Sequence, residues 1–251
     1  MHEHRLPDYE QLDPAGIQHE TDFWKEFVRS ERFLNGWVPT VPTPELSETV
    51  RRLLQVRCDL LRYPARVEVL DVGSGPVSIL RGLAGYTPVA CDPLANHYAD
   101  MFDYEAHDID VPWPFAAENV AKQMHKLNGK KPAYEVVHIS NALDHVVDVE
   151  KALDSLMDCV APGGWLIVQG FVNEAWHEKW AGFHQHDLWL EGEVLGVRSG
   201  GLHAPIRHVK ACDVGTKAKK KGAYPKPKCV WAEQKILHAL DRNWFVWVLQ
   251  K

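Results

Sequence analysis

The stretch LDVGSGPVSIL, from Leu70 to Leu80, decides the fold. It continues the apolar run RVEVLDVG, which is typical of a buried strand, and it leads through a glycine-rich turn into a predicted short apolar helix. Gly73 and Gly75 allow the backbone to turn tightly and to approach a ligand closely. The stretch therefore predicts the first strand and the ligand-binding turn of a nucleotide-type binding fold.

Strand and helix patterns alternate from residue 66 onward. Further buried strands are predicted at residues 87–93 (TPVACDP), 134–140 (YEVVHIS) and 163–171 (GGWLIVQGF). Apolar residues at helical spacing predict a helix within residues 146–160, with Asp148 as its N-cap. This alternation implies a parallel sheet with right-handed crossovers, in which ligands bind beyond the carboxyl ends of the strands.

The two ends of the chain differ from this central pattern. Residues 1–62 are polar with embedded aromatic residues and predict a helical cap or lid. Residues 63–251 are expected to form the main domain, in which residues 171–235 are a substrate-facing insertion with strands. The segments 186–199 and 242–251 are expected to be antiparallel strands, the former with a turn at Glu191-Gly192.

Aromatic residues in the cap have two interpretations. In the segment TDFWKEFVRSERFL, Phe23, Phe27 and Leu34 are predicted to share one helical face. Four aromatic residues could close over a ligand as a lid, or they could simply pack as the core of a helical appendage: Phe23, Trp24, Phe27 and Trp37.

Composition excludes several classes of protein. The chain carries 28 basic and 34 acidic side chains, a formal net charge of −6, which argues against an overall nucleic-acid-binding surface. Hydrophobic residues make up 45% of it, as in folded domains, and no apolar run approaches the ~20 residues of a membrane span. Five dispersed cysteines match neither a disulfide framework nor a zinc site, and the first residues lack the apolar core of a signal peptide. A cytoplasmic location is therefore expected.

Two acidic residues stand where a nucleoside-type ligand needs them. Asp71 lies at the end of the first strand, and Asp92 lies about twenty residues later at the end of the second. A carboxylate at the second position can accept both hydroxyls of a ribose, as in a nicotinamide cofactor or in S-adenosylmethionine. Val77 replaces the usual third glycine, which leaves less room for a pyrophosphate and favours the phosphate-free cofactor.

With the segments ISNALDHVVD and LMDCVAPGGWLIV added, residues 66–172 resemble the class I S-adenosylmethionine-dependent methyltransferases (type 11/12-like) in the order and spacing of their motifs. The resemblance implies a Rossmann-like, seven-stranded, doubly wound α/β sheet and methyl transfer from that cofactor. It places the amino-acid part of the cofactor at the glycine turn, the ribose at Asp92 and the adenine at Asp108 and Ile109. The cofactor-binding residues that it implies are Asp71, Gly73, Ser74, Gly75, Asp92, Pro93, Asp108, Ile109, Ser140 and Asn141.

A weaker resemblance concerns the acceptor. The segments CDPLANHY, NALDHVVD and NEAWHEKWAGFHQHDLWLE look like parts of poorly characterised methyltransferases of surface-glycan biosynthesis. This resemblance implies O-methylation of a saccharide or small metabolite, with nucleic acid an unfavoured partner. Two alternatives remain open: an RNA or protein methyltransferase that uses a basic loop, or a non-catalytic, cofactor-binding partner subunit. The basic loop contains Lys217, Lys219, Lys220, Lys221, Lys226 and Lys228.

Histidines supply the candidate catalytic groups. Asp144 and His145 follow the third strand, and His145 or His184 could act as a general base, because imidazole titrates near working pH. The pair Asp144–His145 could instead only cap a helix. Glu174, His184 and His186 are the predicted substrate contacts. The cluster His177, His184, His186 and Asp187 could alternatively bind metal or serve packing, but its spacing matches no standard metal motif, so no metal is predicted.

Overall fold

The computed structural model describes residues 13–39, 48–61, 67–215, 226–237 and 242–251. Lys217, Lys219, Lys220 and Lys221 of the basic loop lie outside these residues, whereas Lys226 and Lys228 are described and exposed. In chain order the helices are α1 (Pro14–Phe27), α2 (Glu31–Gly36), α3 (Glu48–Leu61), α4 (Ala95–Ala99), α5 (Val120–Asn128), α6 (Val149–Cys159) and α7 (Glu174–His177). In the described residues no helix is long and apolar enough to cross a membrane.

The main sheet has the spatial order β2-β1-β3-β4-β9-β8. Strands β1 to β4 are parallel, and β9 pairs antiparallel with both β4 and β8. This arrangement confirms the predicted α/β fold with antiparallel C-terminal strands. The six strands are β1 (Val67–Val72), β2 (Tyr86–Cys91), β3 (Tyr134–Ser140), β4 (Val160–Phe171), β8 (Lys228–Leu237) and β9 (Arg242–Gln250).

The predicted seventh strand is reduced to one residue in the described part of the chain. Trp113 forms an isolated parallel bridge with Cys91 at the outer edge of β2. Pro112 and Pro114 flank Trp113. Because proline has no amide hydrogen to donate, it cannot extend a ladder of hydrogen bonds on both sides of Trp113.

The two faces of the sheet are covered by different helices. Along β1, Leu70 packs with the apolar residues of α5 and α6, whereas its neighbour Val69 packs with Val50 and Leu54 of α3. Successive side chains of a strand point to opposite faces, so a strand covered on both sides reads as an unbroken apolar run. The N-cap of α6 is Asp148, as predicted, and its side chain accepts a hydrogen bond from the amide of Lys151 at 3.0 Å.

The packing of α3 bears on the predicted limit of the cap at residue 62. Val50 and Leu54 are fully buried against the sheet. Thr49 donates a hydrogen bond to Glu233 of β8 and accepts one from Lys235, each at 2.7 Å. Helix α3 therefore packs against the main sheet, although the sequence assigned it to the cap. The domain boundary at residue 62 stays a prediction.

The helix predicted after the glycine turn is absent, which corrects the sequence interpretation. Residues 73–85 form a series of turns, in which Ile79 and Leu80 are buried. Ser78 donates its hydroxyl hydrogen to Asp71 and accepts the amide hydrogen of Leu80, which is an alternative to helical hydrogen bonding. Gly82 and Gly85, both with positive φ, continue the series of turns to the start of β2.

The N-terminal segment also differs from its prediction. The helical pattern of residues 21–34 is split at Val28–Ser30, where Ser30 caps α2 by accepting a hydrogen bond from Phe33. The split rotates the second helix relative to the first, so Val28 and Phe33 are buried while Phe23 and Leu34 are 52% and 41% exposed. Phe23 and Phe27 of α1 stack on each other as predicted, with ring centroids 5.7 Å apart, but Leu34 lies on the separate helix α2, so the three residues do not form one helical face.

A second sheet carries the insertion. It consists of the antiparallel strands β5 (His186–Glu191), β6 (Val194–Ser199) and β7 (Ile206–Lys210). The turn between β5 and β6 comprises residues 192–193, one position after the predicted one. Neither β7 nor β8 was predicted, because β7 is almost wholly exposed and β8 follows the basic loop, so neither shows a buried apolar pattern.

The close approach of Gly73 to the loop after β3 can be tested by substitution. Its φ is +66°, and a Cβ added there would lie 2.4 Å from Cβ of Ala142 in the loop after β3. Gly129 has the same φ of +66°, with no atom within 4 Å of an added Cβ. We expect Gly129→Ala to lower the free energy of unfolding by about 1 kcal/mol through backbone strain alone. Gly73→Ala should lower it by about 3 kcal/mol, because overpacking is added.

Chemical denaturation of both variants measures this difference. Equal losses for the two substitutions would show that the contact between Gly73 and Ala142 does not constrain the fold.

Candidate functional site

The glycine turn is fastened to the end of β2. The amides of Gly73 and Ser74 donate hydrogen bonds to the carbonyl of Cys91 at 2.8 and 3.2 Å. The amide of Gly75 donates to Oδ2 of Asp92 at 2.9 Å. The glycine turn and Asp92, which the sequence analysis placed around the same ligand, are therefore in direct contact.

Asp92 is held by three donors and is only 6% exposed. Besides Gly75, the amide of Leu94 and the hydroxyl of Tyr98 donate to its Oδ1 at 2.8 and 3.1 Å. Burial raises the pKa of Asp92 to about 6, although these hydrogen bonds oppose the rise. Its carboxylate is thus fixed in position and sensitive to pH.

One cleft runs from this acid to the end of β3. Six of the predicted site residues line it, and they come from three separate loops: Gly73, Gly75, Asp92, Pro93, Asn141 and His145. Residues that were not predicted as ligand contacts complete it, chiefly Glu20, Ala116, Ala117, Glu118 and Phe183. A cleft at the carboxyl ends of parallel strands is where ligands bind in this class of sheet.

Asp71 lies beneath the cleft and not in it. It is 1% exposed, and its Oδ1 is 2.7 Å from Nδ1 of His138. Nε2 of His138 is 2.9 Å from Nε2 of Gln169, whose Oε1 accepts a hydrogen bond from Trp244 at 3.3 Å. This chain of polar groups joins β1, β3, β4 and β9 inside the sheet, so Asp71 supports the turn from below.

Three other predicted site residues lie in the turn and at the end of β3. The hydroxyl of Ser74 donates to the carbonyl of Gly75 at 2.9 Å within the buried turn. Ser140 is half-buried at the end of β3 beside Gln169 of β4. Asn141 follows it with φ +49°, and its Oδ1 accepts a hydrogen bond from the amide of Phe171 at 3.2 Å.

Asp108 and Ile109 are not among the residues that line this cleft in the described chain, and their contact with the cofactor stays a prediction. Asp108 is exposed, and its carbonyl accepts a hydrogen bond from Arg81 at 3.4 Å. The amide of Asp92 instead donates to the carbonyl of Trp113 at 2.9 Å. Residues 116–118, which follow Trp113 closely, line the cleft together with Asp92.

At the other end of the cleft, Asp144, His145 and His184 converge. Nδ1 of His184 is 2.7 Å from Oδ2 of Asp144 and 3.0 Å from Nε2 of His145. Nε2 of His145 is 3.4 Å from the same carboxylate oxygen. The amide of Gln185 donates to the carbonyl of Asp144 at 2.9 Å and joins the two loops. Of the predicted histidines, His145 and His184 are thus brought together.

The residues of this cluster shift one another's pKa values. Burial alone lowers the pKa of His184, but the hydrogen bond to Asp144 and the negative charges of Asp144, Glu174 and Glu20 together outweigh burial and raise it. Burial alone raises the pKa of Asp144, but His145 and His184 lower it overall. Burial, together with the charge of Asp144, raises the pKa of Glu174 to about 8.

Glu174 lies next to the cluster and is only 6% exposed. Its Oε1 is 3.5 Å from Nη1 of Arg242, which also contacts Glu178 at 2.6 Å. Its Oε2 is buried without a hydrogen-bond partner among the described residues. A buried carboxylate oxygen in this state can accept a hydrogen bond or bind a cation.

The densest histidine cluster of the sequence is divided in the structure. His177 is exposed on α7. His186 is 4% exposed and contacts the hydroxyl of Ser199 and the carbonyl of Val146, each at 2.7 Å. Asp187 binds Arg198 at 2.5 Å and the amide of Trp176 at 2.8 Å. Because both ring nitrogens of His186 are occupied, its predicted contact with substrate lacks support.

Helix α1 covers the cleft with one stripe of residues. Gly16, Glu20 and Trp24 are spaced by four and share a face. A Cβ added at Gly16 would lie 2.5 Å from the ring of Phe183, and one added at Gly75 would lie 2.8 Å from the ring of Trp24. Of the four aromatic residues, Trp24 therefore faces the cleft, whereas Phe27 and Trp37 pack around Phe33 and Phe23 is exposed.

The sequence analysis did not identify Glu20 and Glu118 as residues of the cleft. Glu20 is 8% exposed and comes within 4.8 Å of the imidazole nitrogens of His145 and His184. Its position four residues before Trp24 is a signal that helical periodicity could have revealed. Glu118 accepts a hydrogen bond from the amide of Val147 at 2.7 Å, and no local pattern in the sequence marks that contact.

Comparisons with known proteins agree with this architecture. A family model described as a methyltransferase domain matches residues 43–204. Methyltransferase grgD of a Penicillium species is 25% identical over 157 residues, which is 59% of this chain and 54% of that protein. The chain thus spans about half the length of this curated relative.

Two solved structures show the same fold. The N-methyltransferase NodS from Bradyrhizobium japonicum WM9, in complex with S-adenosyl-L-homocysteine, has a TM-score of 0.51 at 12% identity, covering 94% of this chain and 98% of NodS. The CurJ carbon methyltransferase has a TM-score of 0.50 at 13% identity, covering 96% of this chain and 61% of CurJ. Since the family model covers more than half of the chain, this chain belongs to the methyltransferase-domain family, within the class I S-adenosylmethionine-dependent methyltransferases.

Proposed function

We propose that this protein transfers the methyl group of S-adenosylmethionine to a hydroxyl of a saccharide or another small metabolite. One observation carries the proposal. His145 lines the same cleft as Gly75 and Asp92, and its Nε2 lies 3.0 Å from His184. The residues proposed to hold the cofactor and the proposed base therefore line one cavity. The S-adenosyl-L-homocysteine complex of NodS supports the choice of cofactor.

The residues of the cleft fit this cofactor. The backbone of Gly73 and Gly75 approaches the cleft without side chains, and Asp92 can accept hydrogen bonds from a ribose. Pro93 and Leu94 follow Asp92 along the wall, and Trp24 lies over Gly75. When bound, the cofactor supplies a methyl group on a sulfonium, which is already reactive, so the protein chiefly has to align the two reactants.

The cap takes part in this proposal through α1. Glu20 and Trp24 lie on the cleft-facing side of that helix, where they can exclude water from the reacting groups. An aromatic face such as that of Trp24 also attracts a cation. We therefore assign the lid to α1.

The Asp144–His145–His184 cluster would receive the proton of the acceptor. As the acceptor oxygen bonds to the methyl carbon, its O–H bond breaks and the electron pair of the C–S bond stays on sulfur. His145 is in the cleft and can take the proton, and Asp144 can stabilise the resulting positive charge. General-base catalysis of this kind contributes typically about 10²–10⁴-fold in rate.

The charge of the cleft favours a small acceptor over RNA. Glu20 and Glu118 line the cleft, and Glu174 lies beside the cluster at its end. Three carboxyl groups near one cavity repel a polyanion when they are ionised, whereas sugar hydroxyls can donate hydrogen bonds to them.

Asp92→Asn tests the cofactor site. Loss of the charged acceptor for the ribose hydroxyls should weaken binding of S-adenosyl-L-homocysteine about 10- to 100-fold in calorimetry. Asp100→Asn is the matched control, since Asp100 is an exposed acid at the end of α4. Equal affinities for the two variants would contradict the assigned role of Asp92.

The affinity for S-adenosyl-L-homocysteine should depend on pH. The pKa of Asp92 is raised to about 6, so the carboxylate that accepts the ribose is lost as pH falls through that value. We expect the dissociation constant to rise about tenfold for each pH unit below 6. The same titration of Asp92→Asn should lose this dependence, and an unchanged profile would assign the effect to another group.

Turnover tests the acceptor. With methyl-labelled S-adenosylmethionine, label should pass to members of a panel of saccharides and other small hydroxyl compounds. His145→Gln should reduce kcat about 10²–10⁴-fold without changing affinity for the cofactor product, whereas His177→Gln should retain full activity. Label that enters RNA or protein, and no small molecule, would show that the proposed acceptor class is wrong.

A further inference from the structure

Three potential metal ligands meet at one point of the cluster. Oδ2 of Asp144, Nε2 of His145 and Nδ1 of His184 are separated by 2.7, 3.0 and 3.4 Å. Ligand atoms about 2.0–2.2 Å from a tetrahedral zinc ion lie about 3.3 Å from one another. One ion can therefore contact all three atoms from just outside their plane, with further positions open toward the cleft.

Hydrogen bonds can join these three atoms only by sharing one hydrogen, on Nδ1 of His184 or on Nε2 of His145. A ring nitrogen carries at most one hydrogen, so Nδ1 of His184 can donate to Asp144 only if it offers no lone pair to His145. If Nε2 of His145 also donates to Asp144, two N–H groups face each other across 3.0 Å. A cation between the three atoms satisfies all three lone pairs at once.

A fourth ligand is available. Glu174 is 6% exposed, its Oε2 is unpartnered among the described residues, and its carboxylate lies within 4.8 Å of the ligand atoms of Asp144 and His184. The nearby cation Arg242 is shared with Glu178. Arg242 reaches Oε1 of Glu174, so Oε2 is left open to a ligand, and buried carboxylates are normally paired or coordinate metals.

We propose that Asp144, His145, His184 and Glu174 bind one divalent transition-metal ion. Two imidazoles and two carboxylates suit zinc, iron or manganese, whereas magnesium and calcium prefer all-oxygen sites. The inference rests on the proposed function, because the ion lies where the acceptor oxygen is expected. It also changes one step of that function: a bound cation lowers the pKa of a hydroxyl on it, so the hydroxyl proton can pass to solvent water before methyl transfer, and His145 then serves as a ligand in place of its role as base.

This site differs from the one that the histidine spacing suggested. His177 and His186 are excluded, the first by exposure and the second by its two hydrogen bonds. His184 alone is common to both sets. His177→Gln is therefore a matched control, because it removes a histidine that lies three residues from Glu174 but outside the proposed site.

Metal binding to the full, tag-free chain tests the proposal. Protein freed of metal with a chelator is titrated with Zn²⁺ in calorimetry and with Co²⁺ in visible absorption. We expect one Zn²⁺ per chain for wild type and His177→Gln, and a Co²⁺ spectrum distinct from that of the hydrated ion. His184→Gln and Asp144→Asn should weaken Zn²⁺ binding about 100-fold or more. Binding of S-adenosyl-L-homocysteine, measured on the same samples, shows whether each variant is folded.

The outcomes separate this inference from the proposed function. The metal site would be overturned if Zn²⁺ bound equally tightly to His184→Gln, Asp144→Asn and His177→Gln. It would also be overturned if the wild-type chain showed neither one-to-one Zn²⁺ binding nor an altered Co²⁺ spectrum. Methyl transfer that is equally fast in metal-free and Zn²⁺-loaded protein would leave the proposed function standing without the metal. Failure to bind S-adenosyl-L-homocysteine would instead contradict the proposed function, and the Zn²⁺ stoichiometry would still decide the metal site.

Discussion

The rest of the cleft depends on the carboxylate of Asp92 and its three hydrogen-bond donors. Gly75, Leu94 and Tyr98 come from the glycine turn, the end of β2 and α4, and all three donate to this one group. The hydrogen bonds partly compensate for the burial of a carboxylate, whose pKa is nevertheless raised to about 6. Because they fix the turn relative to β2, they also fix the wall along which the proposed cofactor lies.

Polar groups inside the sheet make this wall rigid. Asp71, His138, Gln169 and Trp244 form a buried chain of contacts that crosses four strands. A buried polar network is stable only when its members are satisfied, so it ties these strands to one register. Asp71 thereby contributes to the site indirectly, by holding the turn at its base.

At the opposite end of the cleft, the titratable groups shift one another's pKa values. Two histidines and two carboxylates crowd together there, one carboxylate oxygen has no partner among the described residues, and Glu20 of α1 approaches the same imidazoles. Sites that perturb their own charges in this way are typical of function more than of stability. Since α1 supplies Glu20 and Trp24, the cap and the cluster act on the same cavity.

The sequence by itself determined the features that depend on neighbours along the chain. The apolar runs of β1 to β4, the glycine turn, Asp92 at the end of β2 and the cap of α6 at Asp148 could be predicted, because each is a local pattern. Tertiary structure decided the rest: turns in place of a helix after Gly75, residues 116–118 lining the cleft with Asp92, and the meeting of Asp144 with His184 and Glu174. Those contacts join segments far apart in sequence, and local periodicity carries no information about which distant loops come together when the sheet forms.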